Sequence, residues 1–348
     1  MHSDNLPRHR DIWRIAGPMI LSNVSVPLLG MVDTGVTGHL DNPAYLGAVA
    51  VGSTIFGFLF GGFNFLRMGT TGITAQRFGA RDFSGLRIAL GQALIVSIAI
   101  AISIIALQLP LSTIAMRLIG PEAHIGVFAQ QYFDIRIWSA PATLANYVLI
   151  GWFLGLQNAR VPLIIVLAIN VTNIILDLVF VLLLGMTVDG VASASVIAEF
   201  VGLTVGTAYA FAYLKEHPGH AAWRQLTALD EYTAFFSVNL HLLVRTMALM
   251  FTFASVTAAG ARLGGLVLAA NAVLINMIHL MSFALDGFAH AAEALVGKAV
   301  GARDRASLER AVRLTLQWSL YVACLLYTSP SPRDATLSRM PAWAWKKK

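Results

Sequence analysis

The chain has 348 residues, of which 57% are hydrophobic and only 12% are charged, and its mean hydropathy is +0.70. A soluble domain carries about 25% charged residues, so this composition excludes a soluble globular protein and indicates an integral membrane protein. The net charge of +6 would suggest a nucleic-acid partner in a soluble protein, but here the basic residues lie mostly between apolar runs, and we expect no nucleic acid to bind. The single cysteine, Cys324, excludes an internal disulfide.

Apolar runs recur along the chain, and each is long enough to cross a hydrocarbon core of about 30 Å as a helix. They predict about nine membrane-spanning helices, so the expected fold class is an all-α polytopic membrane protein. In chain order the expected spans are residues 12–38, 46–76, 86–110, 126–156, 161–184, 189–214, 233–260, 266–297 and 306–326.

Basic residues concentrate in every second connection between these spans. Arginines precede the first span, and lysine or arginine follows the second, fourth, sixth and eighth, whereas "HLDNPAY" after the first contains neither. Because positively charged loops stay in the cytoplasm, we expect a cytoplasmic N-terminus.

The first expected span carries an acidic residue and two prolines. Asp33 lies deep within it, between "LLGMV" and "TGVTG", and an ionised carboxylate in hydrocarbon is costly enough to be rare without a role. We interpret Asp33 as a proton or cation site; the alternative is a structural aspartate that is hydrogen-bonded to a neighbouring helix. Pro18 and Pro27 remove backbone hydrogen bonds and can kink the same helix.

The fifth expected span carries a second intramembrane carboxylate. Asn173 precedes Asp177 by four positions, so the two side chains lie on one face of a helix. We expect this face to coordinate a proton or Na⁺.

The seventh and eighth expected spans carry further polar residues. Arg245 lies within the seventh. In the eighth, four residues spaced 7, 4 and 3 positions apart share one helical face: His279, Asp286, His290 and Glu293. A metal site on this stripe would need a second converging cluster, so we expect no metal site and expect Asp286 to face a central cavity, with Arg245 as a candidate partner. Glu293 either has a functional role or pairs with a basic residue near the helix end.

The tetrapeptide GARD occurs twice, at 79–82 and 301–304, each time directly after an expected span. The same shift of 222 positions also aligns Gly38 with Gly260 and Leu86 with Leu308. Repeats in one register on one side of the membrane indicate parallel repeats. We interpret GARD as a mark of this duplication, in which the glycine lets the helix end.

This repeat predicts the domain organisation. We expect an N-terminal six-helix lobe over residues 1–222 and an incomplete C-terminal lobe, with its first three helices, over 223–326. Residues 327–348, "YTSPSPRDATLSRMPAWAWKKK", change abruptly to a Ser-, Pro- and Arg-rich composition. We expect them to be a disordered, non-native tail, and we expect the native gene to continue with three more helices.

Three segments carry a family resemblance: "MVDTGVTGHL" in the first span, "GTTGITAQRFGARD" at the end of the second and "LDGFAHAAEALVGKAVGARD" at the end of the eighth. Together with the two-lobe plan they resemble the multidrug and toxic compound extrusion (MATE) transporters, in particular the DinF (DNA-damage-inducible) branch. The resemblance implies two six-helix bundles in a V-shaped arrangement. It also implies a secondary active antiporter, not an enzyme, that exports organic cations, drugs or toxic metabolites in exchange for H⁺ or Na⁺ by alternating access, without a cofactor.

The resemblance further implies residue roles and surroundings. The ion-coupling residues that it implies are Asp33, Asn173, Asp177 and Ser195. A substrate-binding role falls to Asp286, with Arg245 as a second candidate, and a bend of the first helix on protonation falls to Pro18. The implied location is the bacterial inner membrane, where a monomer would contact the lipid bilayer and a small organic substrate.

Two alternatives remain open at this point. A lipid-linked oligosaccharide flippase of the same superfamily would suit an anionic substrate, and several arginines or lysines would line its cavity. The expected spans contain acidic and basic residues in similar number: Asp33, Asp177 and Asp286 are acidic, and Arg67, Arg136 and Arg245 are basic. This balance favours cations only slightly. The other alternative is an intramembrane metal enzyme built on the eighth span.

Overall fold

The computed structural model describes residues 6–38, 40, 42–217, 219, 229–262 and 265–328. All regular elements in these residues are helices. In chain order they are α1 (His9–Gly38), α2 (Pro43–Gly61), α3 (Phe65–Gly79), α4 (Phe83–Ala106), α5 (Gln108–Ile119), α6 (Ala123–Arg136), α7 (Ala140–Gly155), α8 (Arg160–Asp177), α9 (Val188–Glu216), α10 (Leu229–Arg262), α11 (Gly265–Gly301) and α12 (Arg305–Thr328).

The described residues contain seven helical segments that are long and apolar enough to cross a membrane. These correspond to the first seven expected spans. The eighth and ninth expected spans coincide with α11 and α12, which are 37 and 24 residues long. The predicted all-α polytopic fold is therefore confirmed.

Several expected spans are not single regular helices. The second is divided between α2 and α3 at residues 62–64, and the third ends at Ala106, before the short α5. The fourth consists of α6 and α7, joined by the 3₁₀ turn Ile137–Ser139. In the fifth, α8 continues as the π-helical segment Leu178–Leu183 directly after Asp177. Such irregular turns change the direction of the following side chains and are frequent at functional sites.

The boundaries expected for the domains fall mostly outside the described residues. The junction at 222/223 and residues 329–348 lie there. α12 extends to Thr328, so the first two residues assigned to the tail continue this helix.

The two GARD segments share one local structure. In each, the arginine adopts a left-handed backbone conformation, with φ of 57° at Arg81 and 53° at Arg303. The N–H of the next residue, aspartate, donates to the carbonyl five positions before it, at 3.0 Å in both segments. Because this closure requires the left-handed residue just before the donor, arginine occupies that position. The expectation that the glycine ends the helix through its own backbone freedom is therefore wrong.

The aspartate of each GARD segment begins the next helix. Asp82 accepts a hydrogen bond from the N–H of Gly85 at 2.8 Å, and Asp304 accepts one from the N–H of Ser307 at 3.0 Å. Side-chain caps of this kind satisfy amide groups that have no partner within the helix. The tetrapeptide thus encodes the end of one helix and the start of the next.

The glycines of the two segments allow close contact between α3 and α11. A Cβ atom on Gly79 would overlap the carbonyl oxygen of Lys298, and one on Gly301 would overlap the carbonyl oxygen of Gln76. Both pairs obey the same 222-position shift, so the contact is symmetric. We call this packing of residues 76–79 against 298–301 the GARD contact.

The core lies around α7, which is buried along its length. α7 packs against α3, α4 and α9, and Trp152 donates from Nε1 to the carbonyl oxygen of Leu86 on α4 at 3.0 Å. On the outer faces, large apolar side chains such as Met31, Ile102 and Phe211 are exposed. We expect these faces to contact lipid.

α1 packs against α8 on one side and against α11 on another. Asn23 on α1 donates to the carbonyl oxygen of Phe283 on α11 at 3.2 Å, and the ring of Trp13 meets that of Phe288 edge-on at 5.3 Å. α1 therefore connects the acidic residue of α8 to the second half of the chain.

Candidate functional site

Asp33 on α1 and Asp177 on α8 face each other inside the helix bundle. Their carboxyl groups are close enough to share a hydrogen bond. Asp177 is 0% exposed, and the Oδ1 atom of each aspartate is buried without a hydrogen-bond partner. Two carboxylates in contact repel each other unless a proton or a cation lies between them. This arrangement can therefore bind a single positive charge.

Asn173 and Ser195 complete this cluster from α8 and α9. The Asn173 amide lies 3.1 Å from the Ser195 hydroxyl. With its nitrogen turned towards Asp177, the amide donates to Oδ2 at 3.3 Å, and its oxygen accepts from the N–H and hydroxyl of Ser195, both at 3.1 Å. The four residues expected to couple ions thus lie together. They offer carboxylate, amide and hydroxyl groups, and oxygen ligands of this kind suit hard cations and protons.

One further hydrogen bond joins α8 to α1, and two more lie within α1 itself. Asn170 donates to the Ser25 hydroxyl at 2.8 Å, which in turn donates to the carbonyl oxygen of Ser22 at 2.6 Å. The Thr37 hydroxyl donates to the carbonyl oxygen of Asp33 at 2.7 Å. Asn170 was not predicted as a site residue, although its position three residues before Asn173 was available as a signal.

Glu199 is a second charged residue inside the bundle, and it was not predicted as a site residue from the sequence. Glu199 on α9 lies 3.7 Å from Arg136 on α6, and the two side chains are 13% and 15% exposed. Asn146 on α7 donates to Oε2 of Glu199 at 2.9 Å. The available signal was a lone glutamate in the apolar run "VIAEFVGL". The pairing with Arg136 neutralises one of the intramembrane arginines.

The polar stripe of α11 is divided between exposed and buried positions. His279 and Asp286 are exposed, whereas His290 is buried, and its Nδ1 lies 3.5 Å from Oε2 of Glu293. Arg245 on α10 is also exposed. No ion pair joins Arg245 to Asp286 in the part of the chain that is described, so the suggested partnership of these two residues is absent there.

The remaining expectations concern metal binding and Pro18. Within the described residues, no three His, Cys, Asp or Glu side chains cluster closely enough to hold a metal ion. The alternative of an intramembrane metal enzyme therefore has no metal-ligand cluster to support it in this part of the molecule. α1 contains both prolines within one helix, and a bend at Pro18 remains a prediction.

Comparison with known proteins decides the family. Residues 18–179, which include Asp33, Asn173 and Asp177, match the MatE family model. The chain is 41% identical over 314 residues to DNA damage-inducible protein F of Escherichia coli (strain K12), and the match covers 90% of this chain and 68% of that protein. The chain belongs to the MATE family.

Other MATE proteins show the same similarity at lower identity. The chain is 22% identical over 313 residues to the probable multidrug resistance protein NorM of Photorhabdus laumondii, covering 89% of this chain and 68% of that one. A solved structure of a multidrug resistance MATE transporter in an outward-facing conformation shares the fold with a TM-score of 0.81 and 20% identity, covering 91% of this chain and 71% of that chain. This MATE chain is thus a multi-pass membrane protein whose relatives are transporters.

Proposed function

We propose that this MATE chain is part of an antiporter that exports organic cations, drugs or toxic metabolites in exchange for H⁺ or Na⁺. The observation that carries the proposal is the buried contact between Asp33 and Asp177, with Asn173 and Ser195 beside it. In this proposal the transporter is a monomer in the bacterial inner membrane, with a cytoplasmic N-terminus. It needs no cofactor other than the coupling ion.

The acidic pair supplies the property that ion exchange requires. Without a bound proton or cation, two facing carboxylates repel each other, which pushes α1 and α8 apart. A bound charge removes that repulsion and stabilises the arrangement in which the two side chains meet. An ion drives transport only if it favours one conformation over another, and this pair gives the ion such a preference.

α1 is the element through which ion binding would reach the second half of the chain. It carries Asp33 near one end and contacts α11 through Asn23 and Trp13. Pro18 lies between those two residues and is the expected bend. In the proposal, a change at Asp33 alters α1 and thereby the contact with α11. Asp286, exposed on α11, is the proposed contact for a cationic substrate, with Arg245 as a second candidate.

Replacing Asp33 by asparagine tests the proposal. Asp33→Asn keeps the size of the side chain and removes its ability to alternate between charged and neutral forms, so insertion and folding should survive. We expect efflux driven by a proton or sodium gradient to fall to background. The measurement is transport of a cationic dye in everted vesicles with an imposed ion gradient. Thermal unfolding of the purified variant reports on folding.

Asp134→Asn is the matched control, because Asp134 is an exposed carboxylate on α6 and should not affect coupling. A well-folded Asp33→Asn variant that transports at the unsubstituted rate would remove Asp33 from the mechanism and leave the role to Asp177.

One observation keeps the flippase alternative in view. The guanidinium group of Arg67 has no carboxylate within ion-pair distance in the described part of the chain, and its Nε is buried without a hydrogen-bond partner. A fluorescent lipid-linked oligosaccharide added to the same vesicles distinguishes the two functions. Gradient-independent movement of this lipid, without dye efflux, would favour the flippase.

A further inference from the structure

The buried His290 and the half-buried Glu293 form a pair where α11 packs against α3. His290 is 4% exposed, and its Nδ1 lies 3.5 Å from Oε2 of Glu293. Neither atom has any other polar partner. Without a proton on Nδ1, an imidazole nitrogen and a carboxylate oxygen facing each other are both acceptors. A neutral imidazole meets the carboxylate with its Nδ1–H, and a second proton on the ring gives an imidazolium paired with Glu293.

Arg67 approaches this pair from the first half of the chain. It lies on α3, and its guanidinium acts electrostatically on His290. The other charged groups acting on His290 are Asp286 and Glu293 of its own helix, and their charges have the opposite sign. Within the described residues, α1, α7, α10 and α12, which also pack against α11, add no charged group to this set.

The position of Arg67 makes proton binding depend on conformation. While α3 and α11 are packed together, the arginine charge and the exclusion of water oppose a positive charge on the imidazole. When the helices separate, Arg67 leaves with α3 and water reaches His290, while Asp286 and Glu293 remain on α11. The separated arrangement should then bind an additional proton more tightly.

We propose that His290 and Glu293 form a second proton-binding site, separate from the Asp33–Asp177 pair, and that protonation of this site opens the contact between α3 and α11. If the separated arrangement binds the proton more tightly, the proton must in turn favour separation. The site lies two turns before the GARD contact on the same helix. This proposal goes beyond ion exchange at Asp33 and does not depend on it.

The test is a distance measurement across this contact. Spin labels are placed on Phe83→Cys, at the start of α4, and on Ala306→Cys, in the first turn of α12, both exposed. The background is Cys324→Ser, and the chain is reconstituted in lipid nanodiscs. Electron–electron resonance distances are measured between about pH 6 and 8. Because one proton is bound, the ratio of long to short distances changes by at most about tenfold per pH unit. We expect it to rise by about tenfold in total as the pH falls.

Three variants assign the response to this site. His290→Gln should abolish the pH dependence, and Arg67→Gln should reduce it, because the charge that opposes protonation of the packed arrangement is lost. His279→Gln is the matched control: it lies on the same stripe but is exposed, and it should keep the full response. Asp33→Asn should also keep the response, which separates this proposal from the proposed antiport.

Distances that do not change with pH in the unsubstituted chain overturn the proposal. So does a pH dependence that survives in a folded His290→Gln variant, or a shift in the opposite sense. If His290→Gln does not fold, the Arg67→Gln result decides: an undiminished response contradicts the role given to Arg67 and overturns the mechanism.

Discussion

The Arg136–Glu199 pair illustrates how a single buried charge depends on its partner. Glu199 is held by Asn146 as well as by Arg136, and the guanidinium of Arg136 lies 5.9 Å from the ring centres of Phe56 and Phe60. The pair therefore links α2, α6, α7 and α9. Removing one member leaves the other charged in a low-dielectric interior, which costs more than the pair itself contributes.

Glu199→Gln should destabilise the protein by about 3 kcal/mol, because Arg136 then lacks its counter-charge. The measurement is the free energy of unfolding in mixed micelles. Glu216→Gln, an exposed position at the end of α9, should have almost no effect. The double variant Arg136→Met with Glu199→Leu should recover much of the loss, since it removes both charges. Equal stability of Glu199→Gln and Glu216→Gln would show that the pair is not a structural element.

Prediction from sequence succeeded for residues whose partners lie on the same helix or in a known pattern. Asn173 and Asp177 were placed together by their spacing, and Asp33 was added by the family resemblance. The Glu199 partnership was not predicted, because Arg136 is on another helix and periodicity gives no information on which helices touch. The absence of an Arg245–Asp286 ion pair has the same cause: each charge was visible, but the direction of each side chain was not.

Among the elements, α3 and α11 end in the duplicated GARD sequence, and these two ends pack against each other symmetrically in the GARD contact. The sequence predicted both helices and their common register. It did not predict that arginine, and not glycine, takes the left-handed conformation. That choice depends on the hydrogen bonds that close the helix end, whereas each glycine is required by a backbone carbonyl of the other repeat, that of Lys298 for Gly79 and that of Gln76 for Gly301. The interruptions of α2–α3 and α6–α7 were missed because apolar composition continues through them.

Gly301→Ala should weaken the GARD contact. The new methyl group would overlap the carbonyl oxygen of Gln76, and backbone atoms cannot rotate away as a flexible side chain does. We expect the long distance between labels at Phe83→Cys and Ala306→Cys to become the dominant one. Gly72→Ala on α3 is the matched control, because nothing lies within 4 Å of its added Cβ. An unchanged distance distribution in Gly301→Ala would mean that the helices adjust without separating.

For the whole molecule, the described helices support a bundle whose two halves meet along α1, α3 and α11. Both GARD segments lie at the same end of this interface, as an even number of intervening spans requires. The proposed orientation places that end in the cytoplasm. Charge distribution predicts this arrangement, because positively charged loops stay in the cytoplasm.

Single cysteines test the orientation. In the Cys324→Ser background, Ala306→Cys should react with a membrane-impermeant maleimide in inverted vesicles and remain unlabelled in intact cells. Glu122→Cys, exposed between α5 and α6, should show the opposite pattern. Permeabilised cells provide the control for reactivity. Labelling of Ala306→Cys in intact cells would reverse the proposed topology.

The symmetry of the GARD contact has a consequence for the origin of the protein. Gly79 meets Lys298 and Gly301 meets Gln76, so each repeat presents the same two positions and receives the same two in return. On two separate copies of one repeat, a surface that packs against its own duplicate would pack against the same surface of the other copy. Such self-complementarity is the defining property of a two-fold dimer interface. If the two repeats arose by duplication, this is the surface through which two copies of a half-length chain would pair, and fusion of the genes would turn a contact between subunits into one within a single chain.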